Sequence, residues 1–99
     1  MRRVKIRLPM HRRDPESGEL RQTYATYEGT EEMVSNGERQ RNRTARLFAL
    51  KNSKNEDYQF KVKGNGQYEM YKASLGLDRP IATGTMMDAI APEIIALAG

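Results

Sequence analysis

The chain has no cysteine, no tryptophan and one histidine, His11. Without Cys, disulfide frameworks, thiol catalysis and thiolate zinc sites are excluded, and a reducing, cytoplasmic setting is expected. One histidine leaves nucleophilic catalysis without its usual base, because the sequence around His11 is a basic stretch containing neither a serine nor an acid. Metal binding is equally unsupported, since no second His and no calcium-type run of alternating aspartates is present. The acid pairs Glu31-Glu32 and Glu56-Asp57 sit in polar surroundings with nothing nearby to raise a pKa. The expectation is a protein that binds and does not catalyse, with no cofactor.

Strong core formers are also scarce. Seven Leu, five Ile, three Val and two Phe make 17 of 99 residues, which predicts a thin core supplemented by five Tyr and six Met. No stretch approaches the roughly 20 apolar residues that span a bilayer. The basic opening alternates Val4, Ile6 and Leu8 with charges, so it does not resemble a signal peptide, and no membrane partner is expected. Ninety-nine residues suit one domain, 1–99, with one core.

Positive charge is present, and it falls in blocks. Residues 1–13 hold Arg2, Arg3, Lys5, Arg7, Arg12 and Arg13 with no acid, and residues 39–54 hold Arg39, Arg41, Arg43, Arg46, Lys51 and Lys54, again with none. Residues 14–38 between them are acidic, and the net charge is +4.

Strict alternation over residues 3–8 predicts a strand with Arg3, Lys5 and Arg7 on a wet face, ended by Pro9. Asp14-Pro15 and Ser17-Gly18 read as a loop before a Thr- and Tyr-rich strand over Leu20 to Glu28, giving a hairpin with a long loop. A second hairpin is predicted around Gly64-Asn65-Gly66. With all three residues in the loop, Val62 faces Tyr68, Phe60 faces Met70 and Lys61 faces Glu69, whereas a two-residue loop would oppose Val62 to Glu69. Gly66 would then take the left-handed position.

Residues 30–51 read as a short helical turn near Thr30 to Asn36 followed by a strand over Thr44 to Lys51. Thr85 with Asp88 resembles a helix cap, and Met86, Met87, Ile90, Ala91, Ile94 and Ile95 recur at helical spacing, which predicts a C-terminal helix kinked or restarted at Pro92. The expected fold is therefore α+β: a four- to five-stranded, mostly antiparallel sheet or small open barrel closed by that helix. The expected core is Val4, Ile6, Leu8, Leu47, Phe60, Val62, Tyr68, Met70, Ile90 and Ile94.

The two basic blocks point to a small accessory nucleic-acid-binding protein. Arg3, Lys5, Arg7, Arg12, Arg13, Arg39, Arg41, Arg43 and Arg46 would contact phosphates of DNA or RNA, with Tyr24 or Tyr27 as stacking groups. No recognition-helix pattern, RNP-type aromatic motif or zinc finger accompanies them, so a sequence-tolerant contact is expected. The same charges would serve equally to keep sheet edges soluble. A different class of function rests on the apolar end. Met86, Met87, Ile90, Ile94, Ile95 and Leu97 exceed one helix face and would form an interface with a second copy or a protein partner, as an inhibitor or assembly subunit does.

Overall fold

The computed structural model of the protein describes residues 2–32 and 44–97. Among these it contains seven strands: β1 (Arg2–Arg13), β2 (Leu20–Glu32), β3 (Thr44–Lys51), β4 (Asp57–Lys63), β5 (Gln67–Lys72), β6 (Ala82–Thr85) and β7 (Glu93–Ala96). They form one antiparallel sheet in the order β6-β5-β4-β3-β2-β1-β7. From β1 to β6 each strand pairs with the next, and β7 returns to cover the other side of β1. The sheet curls on itself as a half-barrel.

A curled sheet needs no second layer, because the side chains of its inner face meet one another. The register sets Ile6 beside Tyr27, Phe48 beside Phe60, Phe60 beside Met70, Leu50 beside Tyr58 and Val62 beside Tyr68. All of these are buried, with Val4 and Leu8. The aromatic rings lock in tilted contacts, with centroids 4.8 Å apart for Tyr27 and Tyr58, 5.8 Å for Phe48 and Phe60, and 5.6 Å for Phe60 and Tyr68. Each fully buried large apolar side chain contributes about 1.5 to 3 kcal/mol. Tyr71 is buried from the outer face, its ring under the Lys61 ammonium at 5.0 Å and its hydroxyl donating to Glu69 at 3.0 Å.

β2 has strands on both sides over only part of its length. β2 pairs with β1 along its length but with β3 only through Glu28 to Glu32. At Gly29 the two backbones come so close that a Cβ would run into the Ala49 carbonyl oxygen.

Several expectations hold. The β1–β2 hairpin turns through residues 14–19, and β3 occupies the range read for it. The β4–β5 register is the one the three-residue loop requires, with Gly66 at φ +92° and its amide donating to Lys63 at 2.9 Å.

The α+β expectation is overturned, in strand number and in the C-terminal helix. Among the described residues the one helical element is the 3-10 turn Ala73–Leu75. Residues 85–97 form a strand end, turns and β7 instead. The apolar spacing there fits a helix, but Pro92 lacks the amide that a continuing helix uses, and β-branched Ile94 and Ile95 pack well on a pleated surface. The decisive factor is β1, whose outer edge offers backbone groups that β7 satisfies, as when Leu97 donates to the Arg3 carbonyl at 2.9 Å.

Pro9 does not end β1. Arg3 directs its carbonyl toward β7, so the odd residues of β1 point their backbone groups that way, and β7 reaches only as far as Arg7. The missing amide of Pro9 therefore falls on an edge with no strand to receive it, where proline is tolerated. The helical turn read near Thr30 to Asn36 is also corrected, since Thr30 to Glu32 continue β2; the remainder of that segment, including the Ser35 to Glu38 capping pattern, lies outside the described residues. In the core, Phe48 and Leu50 replace Leu47, which is half-buried on the outer face, and Ile90 is exposed while Ile94 packs against the core from its edge.

Candidate nucleic-acid interface

With Val4, Ile6 and Leu8 committed to the core, the alternation of β1 sends Arg3, Lys5, Arg7, His11 and Arg13 to the outer face in one row, interrupted by Pro9. Successive members of such a row stand about 7 Å apart. Across the register they face Thr30, Glu28, Thr26, Gln22 and Leu20 of β2. On the other side, β7 sets Ile95 beside Lys5 and Glu93 beside Arg7.

Arg7 is the best-defined member. Its guanidinium donates to Glu93 at 2.9 Å and lies 4.3 Å from the centroid of the Tyr24 ring. Tyr24 in turn accepts from the Gln22 amide at 3.2 Å. Arg13 donates to the Gly18 carbonyl at 2.6 Å, fixing the hairpin end. Arg3 and Lys5 have no carboxylate within ion-pair distance among the described residues. Arg3 borders a cavity of about 440 Å³ shared with Thr26, Glu28, Lys51, Asn52 and Ser53.

The other basic residues do not join this row. Arg12 has the inner-face parity and stands directly opposite Arg21, itself paired with Asp14 at 3.2 Å. Arg46 also faces inward, after a register shift in β3 between Thr44 and Arg46, and is held by Glu31. That contact, with desolvation acting against it, keeps the Glu31 carboxyl below the usual carboxylate range; the nearby positive charges of Arg46 and Arg2 add to it. The same hydrogen bonding keeps the Arg46 guanidinium more firmly protonated than usual. Arg39, Arg41 and Arg43 lie outside the described residues. The described residues thus bring the two basic blocks together only in part: the first supplies an outer row, and of the second Lys51 borders the Arg3 cavity, bridged to Asp57 at 2.7 Å, while Arg46 is turned inward.

Of the two tyrosines considered for stacking, Tyr27 is buried against Tyr58, where desolvation raises its pKa, and Tyr24 stands in the outer row. Sequence reasoning missed Glu93 as a neighbour of Arg7, because that contact depends on β7 being a strand. It also missed the cavity beside Lys51.

The apolar end is divided rather than continuous. Met86 and Ile94 pack against the core, and the Met86 amide donates to Gly66 at 2.8 Å. Leu97 is half-buried, while Met87, Ile90 and Ile95 remain exposed, Met87 to 78%.

Among the described residues no three His, Asp or Glu side chains gather as metal ligands, and no helix is long and apolar enough to cross a membrane. Compared with protein-family models, curated proteins and solved structures, the chain matches none.

Proposed function

We propose that the protein is a small, non-catalytic accessory factor that binds nucleic acid along the outer face of β1, chiefly through phosphate contacts. The observation that carries this reading is the row Arg3, Lys5, Arg7 and Arg13 on one face, with Tyr24 beneath Arg7. Glu28 and Glu93 are the acids at neighbouring register positions, so the row keeps an excess of positive charge. The Arg7–Glu93 pair is no obstacle. Both side chains are more than a third exposed, and a pair of that kind is worth about 0 to 1 kcal/mol, less than a phosphate contact returns. Tyr24 adds a ring on which an unpaired base can stack. The absence of cysteine suits a cytoplasmic setting.

The test is binding of labelled single- and double-stranded oligonucleotides as salt is raised from roughly 50 to 200 mM, the range over which several phosphate contacts lose most of their strength. Log affinity should fall linearly with log salt, and Lys5→Glu with Arg7→Glu should weaken all sequences alike. Lack of binding to either form at the low-salt end removes the reading.

A second reading, a protein-interaction module, is favoured by the exposure of Met87 beside the β4–β5 turn, of Ile90 in the segment before β7 and of Ile95 on β7. If it holds, Met87→Lys with Ile90→Lys should abolish association seen in sedimentation while leaving the fold intact. Unchanged sedimentation sinks the self-association form of that reading.

A further inference from the structure

The positive track on β1 is one residue wide. Arg3, Lys5 and Arg7 follow one another at about 7 Å, the scale on which phosphates succeed one another along an extended strand. On one side Glu28 of β2 stands opposite Lys5, and on the other Glu93 of β7 stands opposite Arg7; both acids are exposed. One strand beyond Glu28, Lys51 is already bridged to Asp57 at 2.7 Å. Neighbouring strands lie about 5 Å apart, so the track has an acid close by on each flank and no unbridged cation directly across Glu28.

Past Arg7 the face changes from charge to ring. Pro9 and Tyr24 are direct partners, at a position without backbone bonds between them because the odd residues of β1 turn those groups the other way. Side chains approach most closely at such positions. The Arg7 guanidinium, held by Glu93, lies 4.3 Å from the Tyr24 ring centroid, and the Gln22 amide bonds the Tyr24 hydroxyl. The ring is therefore fixed in place before any ligand arrives. Farther on, Arg13 is drawn to the Gly18 carbonyl and the hairpin end bears exposed Glu16 and Glu19, so the track stops there.

We propose that the ligand of this face is a single strand, DNA or RNA, laid along β1 with a base stacked on Tyr24, and that the flanking acids turn duplexes away. This rests on the nucleic-acid reading above and names the form of nucleic acid that the same site takes.

A duplex meets the face poorly. Its two backbones lie roughly 6 to 12 Å apart across a groove, so with one of them on the row the other falls over Glu28 and the Lys51–Asp57 pair, or past Glu93. The face is also the convex side of the curled sheet, since the concave side holds the core. A stiff rod touches a convex surface over a short length, whereas a flexible strand bends over it. Paired bases, stacked on one another, leave Tyr24 without a partner; an unpaired base supplies one.

Fluorescence anisotropy with the full chain tests this, using labelled oligothymidylate, oligouridylate and the duplex of oligothymidylate with oligodeoxyadenylate, each of about 12 nucleotides, within the span such surfaces cover. At least one single strand should bind about tenfold or more tighter than the duplex, the worth of roughly one stacked base. Its log affinity should fall with log salt at a slope of about 2, from three phosphates at about 0.7 each. Tyr24→Leu should lower single-strand affinity by about tenfold while keeping that slope, as loss of a stack does and loss of a charge does not. Glu28→Gln with Glu93→Gln should strengthen duplex binding more than single-strand binding and so narrow the gap. Both acids are exposed, so this variant keeps the fold by circular dichroism and decides the matter even if Tyr24→Leu does not fold. Duplex bound as tightly as both single strands overturns this inference and leaves the nucleic-acid reading standing, as does a gap unchanged by removing the two acids. No binding to any of the three removes that reading and this inference together.

Discussion

Arg46 grips Glu31 with two parallel hydrogen bonds, both 2.9 Å, on the inner face of the sheet, and its guanidinium lies 5.1 Å from the Phe48 ring centroid. This contact joins β2 to β3 at the rim of the core, where an arginine would otherwise lack a reason to face inward. It makes stability depend on acid. The folded carboxyl holds its proton less firmly than the unfolded one, so the contribution of Glu31 is fully present above the unfolded value, about 4.3 for glutamate, and disappears as pH falls through the lower folded value. Glu31→Gln should cost about 1 kcal/mol at neutral pH, discounted for the partial exposure of Arg46. Urea titrations of both proteins should converge as pH falls below the lowered folded value; a gap that persists in that acid range would show that the ion pair is not the cause.

Neighbouring residues of β3 should differ sharply. Phe48→Ala opens a cavity in the core and should cost about 3 to 5 kcal/mol, whereas Leu47→Ala, on the outer face, should cost about 1 kcal/mol or less. Denaturant midpoints of the two variants check the assignment of faces, and equal losses would contradict it.

Gly29→Ala should destabilise by roughly 1 to 3 kcal/mol or more, because the obstacle is backbone, the Ala49 carbonyl, and not a side chain that can swing away. Thermal melting is the measurement. A melting temperature equal to that of the wild type would mean that β2 and β3 can separate there without cost.

Tyr24→Ala separates recognition from stability. The ring is outside the core, so melting should change little, while affinity for single strands should fall by about 1 to 3 kcal/mol per stacked base. Unaltered affinity would leave phosphate contacts as the sole basis of binding.

How far these features were legible in the sequence varies from segment to segment. The β4–β5 hairpin was readable to the residue because two independent pairings, Phe60 with Met70 and Lys61 with Glu69, agree on a single register. β3 was readable in extent but not in orientation: Leu47, Phe48 and Leu50 occupy both parities, and burying Phe48 and Leu50 together turns Arg46 inward as well, a position that Glu31, fifteen residues away, makes tolerable. The C-terminal segment misled because helical spacing of Met86, Ile90 and Ile94 is a local signal, while the demand of the β1 edge is not local at all. For the binding row, the alternation of Arg3, Lys5 and Arg7 was visible, and the inward turn of Arg46 was hidden for the same reason that the face of β3 was.

The strand order carries a kinetic corollary. From β1 through β6 every partner is the next strand along, so each of those ladders closes only the short stretch of chain between neighbouring strands. β7 alone must find a mate at the opposite extreme of the polypeptide, and its four pairs repay the closing of a very large ring. Docking of Glu93–Ala96 is then the last event in refolding and the first to reverse, leaving a six-stranded meander with the flank of Val4 and Ile6 uncovered, a short-lived species to be sought by its rapid amide exchange at residues 93–97.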